Sequence, residues 1–218
     1  MCIRDRYTPV TWRDWWDFGC GALGDFGCHD MDAAVWGLDL PLPESVEVYP
    51  AGYSNSKLTP YGEIGYYRFP ATNGKPPVKL TWYSGGLQPQ VPDMAPDDYV
   101  FPRRGAMYVG SKGIMITGGG DMPQLFPDSL TNSFTMPAAT IPASNGHHRD
   151  WIDAIKGGSA ASSNFAYGTH LTEITLLGVL SLRLGGKKIF WEADKMEARG
   201  IPEAEPFIRE AIRPGWEM

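Results

Sequence analysis

The sequence predicts an α+β fold: an open, mostly antiparallel β-sheet with helices packed on one face. Three observations carry this expectation. The elements run helix, strands, helices, strand, so helices and strands are segregated instead of alternating. Several short segments are β-branched and aromatic, and one of them alternates with period two. Two of them flank Gly110-Ser111-Lys112-Gly113, a strong signal for a tight hairpin whose glycines can take positive φ.

Element by element, Thr11 to Phe18 is aromatic and charged, with no strand alternation. From Gly21 to Leu40, Leu23, Phe26, Met31, Ala34, Val35 and Leu38 recur at spacings of three and four, which predicts a helix. Pro41 and Pro43 stop it. Val46–Tyr49, Gly65–Phe69, Val78–Tyr83, Ala106–Val109 and Ile114–Thr117 read as strands. Pro89–Pro102 and Met122–Pro142 read as long proline-rich loops, and loops of that length are usually functional or line an interface. Ser144-Asn145 can cap a helix over His147–Lys156, which Gly157-Gly158 ends. Leu171–Leu184 is apolar on all sides at its centre, so this helix is expected to be buried. Lys188–Glu192 reads as a last short strand.

Composition narrows the function. The chain has 218 residues, enough for a substantial core, with 25 acidic against 19 basic residues and a net charge of -6. No basic stripe is present, so nucleic acid is not an expected partner. No apolar run reaches the ~18–20 residues of a membrane span, so no membrane partner is expected either. Cys2, Cys20 and Cys28 form no disulfide framework. The opening string Met1-Cys2-Ile3-Arg4-Asp5-Arg6 lacks the apolar stretch of a signal peptide and resembles adapter read-through at the front of a translated assembly. The expected organisation is a non-native leader over 1–6 and a single domain over 7–218. Location is left open between periplasmic or secreted and cytoplasmic.

Two motifs compete for the chemistry. Gly19-Cys20-Gly21-Ala22-Leu23-Gly24 matches the dinucleotide pattern, with Glu44 at about the expected distance. A phosphate-binding turn must follow a buried strand, and Trp12–Asp17 is a poor one, so the match is a decoy. The stronger constellation is Asp25-Phe26-Gly27-Cys28-His29-Asp30-Met31-Asp32. On a helix Asp25 and His29 are i and i+4 and share a face, with Asp32 extending the stripe. A carboxylate beside an imidazole orients the ring and suits a general acid/base acting on an alcohol or carbonyl. Gly21, Ala22, Gly24 and Gly27 leave one side of the helix bare, open to a ligand or another backbone. The bland alternative is a solvated acid–imidazole pair at a helix start. A metal set of Asp25, His29, Asp32 and Cys28 lacks a second ligand cluster. Further candidates for substrate contact are Arg13, Trp12, Asp32, His147 and Glu173. Glu173 is read in the first turn of its helix, where the dipole favours an acid.

The segment Trp12-Arg13-x-Trp15-Trp16-x-Phe18-Gly19-x-Gly21-Ala22-Leu23-Gly24-Asp25-x-Gly27-x-His29-x-Met31-Asp32 resembles the C-terminal half of bacterial Gfo/Idh/MocA oxidoreductases. The likeness continues through Gly110-x-Lys112-Gly113, through Gly146-His147-x-x-x-Trp151-Ile152-x-Ala154-x-Lys156-Gly157-Gly158, and through Leu171-Thr172-Glu173-x-x-Leu176-Leu177-Gly178. It closes at Arg213-x-Gly215-Trp216-Glu217. The resemblance implies a substrate domain of the dihydrodipicolinate-reductase/glucose-fructose-oxidoreductase-like kind, behind a separate N-terminal Rossmann domain that holds NAD or NADP. It implies that Asp25 and His29 act on a substrate hydroxyl together with a lysine from that other domain. That lysine and a true dinucleotide fingerprint are absent from this sequence. The chain alone is therefore expected to hold no cofactor and to be inactive. The implied substrate is a sugar or polyol, and the implied assembly is a homo-oligomer. Two alternatives stay open: an NAD-dependent glycoside hydrolase or lyase of the same superfamily, and a non-catalytic carbohydrate-binding module.

Overall fold

The computed structural model describes residues 7–52, 54–118, 122–209 and 212–216, so the expected leader over 1–6, Cys2 and Glu217 lie outside the described residues. The fold is α+β, and every strand pair in it is antiparallel. Among the described residues the strands form three small sheets. The chain groups into two compact units, one formed by 1–88 with 169–218 and the other by 89–168.

The first unit holds α1 (Gly21–Leu38), β1 (Ser45–Ala51), β2 (Gly62–Phe69) and β3 (Val78–Tyr83), in sheet order β1-β2-β3. Alternation decides which face is buried. On β2, Glu63, Gly65, Tyr67 and Phe69 point inward, while Arg68 is exposed. Val48 pairs with Gly65 and Gly65 with Trp82, so their side chains share the inner face. The other elements of this unit's core are α4, which runs Phe165–Arg183, and α1. The apolar centre of α4 is buried on most sides: Ile174, Leu177, Val179 and Leu180 have almost no solvent exposure, while Leu176 is exposed.

Several boundaries differ from the sequence expectation, each for a local reason. The helix expected from Leu171 begins at Phe165, after Asn164 caps it by accepting the Tyr167 N–H at 3.2 Å. The strand expected over Lys188–Glu192 is divided. Ile189 bridges Val46 on the outer edge of β1, and β7 (Trp191–Glu192) pairs with β8 (Glu197–Ala198). Ser181 covers the rest of that β1 edge, its hydroxyl accepting the Val48 N–H at 2.9 Å and donating to Lys187 O at 2.7 Å. The tail adds a short helix, which for chain order is α5 (Glu205–Ile208).

The second unit contains the hairpin β4 (Gly105–Val109) and β5 (Ile114–Gly118), with β6 (Gln124–Phe126) beside β5. The hairpin forms where Gly110-Ser111-Lys112-Gly113 predicts it, closed by the Gly110 N–H to Gly113 O bond at 2.9 Å. Neither glycine has positive φ. Gly113 is required for space, because a Cβ there would meet Phe126 O at 2.3 Å. The segment expected to be a loop over 122–142 contains β6 and a short helix, α2 (Asp128–Ser133). Its last helix is α3 (His147–Ile155), with Gly146 rather than Ser144 or Asn145 at the cap position; the Ser144 hydroxyl accepts the Gly146 N–H instead.

Candidate functional site

Helix α1 carries the candidate residues, and its glycines explain how. A Cβ at Gly27 would lie 2.6 Å from Thr175 Cγ2 on α4. On the α4 side, a Cβ at Gly178 would lie 2.7 Å from Leu23 Cδ2. The bare side of α1 is thus filled by α4, which leaves no room there for a ligand. Cys28 turns the same way, its Sγ 3.5 Å from Thr175 Oγ1. Among the described residues no group of three His, Cys, Asp or Glu side chains is arranged to hold a metal ion. Cys20 and Cys28 are free thiols, and burial pushes Cys20 up from its ordinary value while Arg183 opposes it.

Packing α1 by its glycine side turns the opposite face to solvent. Asp25 and His29 are both exposed there, one turn apart, as the spacing predicts. The Asp25 carboxylate is ion-paired with Arg13, which approaches from the single 3-10 turn over Thr11–Asp14. Among the described residues no hydrogen bond joins Asp25 to His29, whose ring instead lies 6.2 Å from that of Phe26. The Arg13 guanidinium also stands 5.6 Å over the Phe26 ring. Arg13, Asp25, Phe26 and His29 therefore form one connected surface. Asp32 is half-buried further along the helix.

The remaining candidates separate. Trp12 is 47% exposed, whereas Trp15 is buried against Tyr7 and Trp16 lies 4.7 Å beneath the Arg183 guanidinium. Glu173 accepts a hydrogen bond from Trp191 Nε1 at 2.6 Å. It stands in the third turn of α4, because that helix starts at Phe165, so the dipole argument made for it does not apply. His147 belongs to the second unit, at the start of α3, with its ring 4.0 Å from that of His148. The loop 89–102 also belongs to that unit. There Pro96, Asp98, Tyr99 and Val100 line a hollow of about 380 Å³ with Ile116 and Gln124. A second hollow, of about 510 Å³, lies between Glu197 and Ile208. Neither is lined by Asp25 or His29.

A buried polar group on β2, Glu63, was not anticipated from sequence. Glu63 is 1% exposed. Its carboxylate accepts Trp82 Nε1 at 3.0 Å, and its backbone N–H donates to the Ser84 hydroxyl at 3.1 Å. Burial pushes its carboxyl above the ordinary range, against the pull of the Trp82 hydrogen bond. Near Glu63 the Tyr67 hydroxyl is fully buried, without a partner among the described residues, and burial pushes it up. The available signal was parity: extended back two residues from Gly65, the β2 alternation places Glu63 on the inner face.

The same geometry answers the dinucleotide pattern. Residues before Gly19 form a 3-10 turn and one bridge, Trp15 to Leu58, not a buried strand. A Cβ at Gly19 would meet Arg13 O at 2.5 Å, and Gly21, at φ +70°, packs on Thr59. These residues do not fit a dinucleotide.

Neither a family model nor a curated protein matches the sequence. A solved structure of an oxidoreductase from Sinorhizobium meliloti is similar at 15% identity and a TM-score of 0.41, over 78% of this chain and 52% of that one. This chain spans about half the length of that protein. Among the described residues no helix is long and apolar enough to cross a membrane.

Proposed function

We propose that this chain is the substrate-binding and proton-transfer half of an NAD(P)-dependent oxidoreductase acting on a sugar or polyol hydroxyl. The observation that supports it most is the solvent-facing row on α1, in which Arg13 pairs with Asp25 and His29 follows one turn later. Imidazole is the commonest general base at neutral pH, and His29 is open to a substrate. In this reading His29 takes the proton of the hydroxyl being oxidised. Asp25, held by Arg13, supplies a fixed negative charge beside the imidazolium that results. Arg13 and Asp25 also offer a donor and an acceptor to neighbouring hydroxyls. Because the Gly19–Gly24 segment does not fit a dinucleotide, NAD or NADP is assigned to a separate nucleotide-binding domain. Trp151 and Ile155 on α3, each more than 60% exposed, offer apolar surface that such a domain or a second copy can cover.

The test is turnover by the protein carrying both domains, assayed on a panel of sugars and polyols with NAD or NADP. His29→Ala is expected to lower turnover by about a hundredfold or more. Turnover within a few-fold of the parent removes His29 from proton transfer. Aglycone release without net reduced nicotinamide would identify the glycoside lyase instead. Sugar binding without turnover in any form would identify a binding module.

A further inference from the structure

We propose that Arg183 is a positioning residue: through Trp16 and Phe207 it ties the segment that presents Arg13 to Asp25 onto the end of α4 and the tail helix α5. This inference rests on the reading of the Arg13, Asp25 and His29 row as the substrate site.

The segment needs support from outside itself. Arg13 stands in a 3-10 turn of four residues with no side-chain cap and no buried residue of its own, and the hydrogen-bond geometry of such turns is poor. Its supports lie just beyond it. Trp15 is buried against Tyr7. The Trp16 N–H donates to Lys57 O at 3.0 Å, and the Thr59 N–H donates to Asp14 O at 2.9 Å. The Gly19 N–H donates to Trp15 O at 2.8 Å, which folds the chain back until Gly19 packs on Arg13 itself; a Cβ there would meet Arg13 Cα at 2.7 Å. Trp16 lies within this loop, so a hold on its ring restrains Arg13.

Arg183 meets that ring. It is the last residue of α4, and its Cζ lies 4.7 Å from the centroid of Trp16 and 4.7 Å from that of Phe207. Both distances fall inside the ~6 Å reach of a cation–π attraction, and the planar guanidinium suits stacking on aromatic faces. Among the described residues no carboxylate pairs with Arg183, so the two rings are what its cation meets. Phe207 belongs to an element with anchors of its own: Ala204 ahead of α5 is buried, and Arg209 behind it pairs with Glu205 and donates from Nη2 to Lys195 O at 3.0 Å. Three stretches of chain far apart in sequence thus converge on one guanidinium, and one of them carries Arg13.

Amide hydrogen exchange of the whole chain reads the tie directly, and turnover of the protein with its nucleotide domain reads its consequence. In Arg183→Ala the Trp16 and Thr59 amides should exchange at least fivefold faster, while those of Ile174–Leu180 in α4 stay near parent rates. Phe207→Ala, which leaves the charge at the end of α4 in place, should also speed both amides, and Phe207→Tyr, which keeps a ring, should restore parent rates. In turnover, Arg183→Ala should raise KM at least fivefold with kcat changed less, because Arg13 is the donor it displaces. Made in an Arg13→Ala background, the same change should raise KM less than twofold, since residues acting through one contact are not additive. Unchanged exchange at Trp16 and Thr59, or acceleration spread through α4, overturns the tie. Faster exchange with KM at the parent value, or strictly additive Arg13→Ala and Arg183→Ala effects on KM, overturns the positioning role alone. Faster exchange in a protein whose parent turns over no sugar or polyol upholds the tie and overturns the reading of the site alone.

Discussion

Replacing Gly178 with alanine puts a methyl group where the core has no room for it. Its Cβ would lie 2.0 Å from Tyr67 Oη, 3.1 Å from Tyr67 Cζ and 2.7 Å from Leu23 Cδ2. The nearest of these falls short of ordinary van der Waals contact by about 1.5 Å. Tyr67 is fully buried on β2 and Leu23 is fully buried on α1, so neither can swing into solvent. Overpacking of this kind costs about 1–3 kcal/mol. The opposing term is the better helix propensity of alanine, worth about 1 kcal/mol in a helix interior. With two rigid neighbours the cost sits at the upper end, and a net loss of about 2 kcal/mol is expected. Urea unfolding reads it as a lower midpoint at an unchanged slope. The variant Gly178→Ala with Tyr67→Phe removes the closest atom, so its loss should be smaller than the sum of the two single effects by at least about 0.5 kcal/mol. A Gly178→Ala protein as stable as the parent, or two strictly additive effects, would refute the packing of α1, α4 and β2 described above.

Tyr67→Phe alone deletes a buried hydroxyl that has no partner among the described residues, and it should raise stability by about 1 kcal/mol; an equal or lower urea midpoint would show that the hydroxyl is satisfied. Glu63 gives stability a sign with pH. Its folded value is raised by burial above the ordinary ~4.3, so the folded state holds a proton that the unfolded chain has already lost. This contribution is complete below about pH 4 and is lost as pH rises through the raised value. Tyr67, the phenol coupled to Glu63, stays neutral throughout. Glu63→Gln should therefore gain on the parent between about pH 4 and pH 7, and a constant difference across that range would contradict it. His29→Ala removes an exposed side chain with no hydrogen bond among the described residues, so its stability should match the parent within about 0.5 kcal/mol by thermal or urea unfolding, whatever happens to turnover.

Much of the fold was legible from local pattern. The three-and-four spacing over Gly21–Leu38, the β-branched run Val78–Tyr83, and the glycine-flanked hairpin at 110–113 are each fixed by neighbours within a few residues. The errors fell where partners outside the announcing pattern decide. The start of α4 depends on Asn164, six or more residues outside the apolar pattern that announced the helix. The division of Lys188–Glu192 depends on Val46, far away in sequence, which pairs Ile189 to the sheet.

The candidate site divides in the same way. That Asp25 and His29 share a face follows from helix geometry alone, because 3.6 residues per turn brings i and i+4 together wherever the helix lies. That this face is the wet one depends on α4, since Thr175 and the glycines of both helices choose which side of α1 is sealed. Likewise spacing placed an acid beside the imidazole, but only the folded chain gave that acid to Arg13. Glu63 shows the limit most plainly. Its burial arises from its place on the inner face of β2 and from Trp82 meeting it on the neighbouring strand, which no run of neighbouring residues encodes.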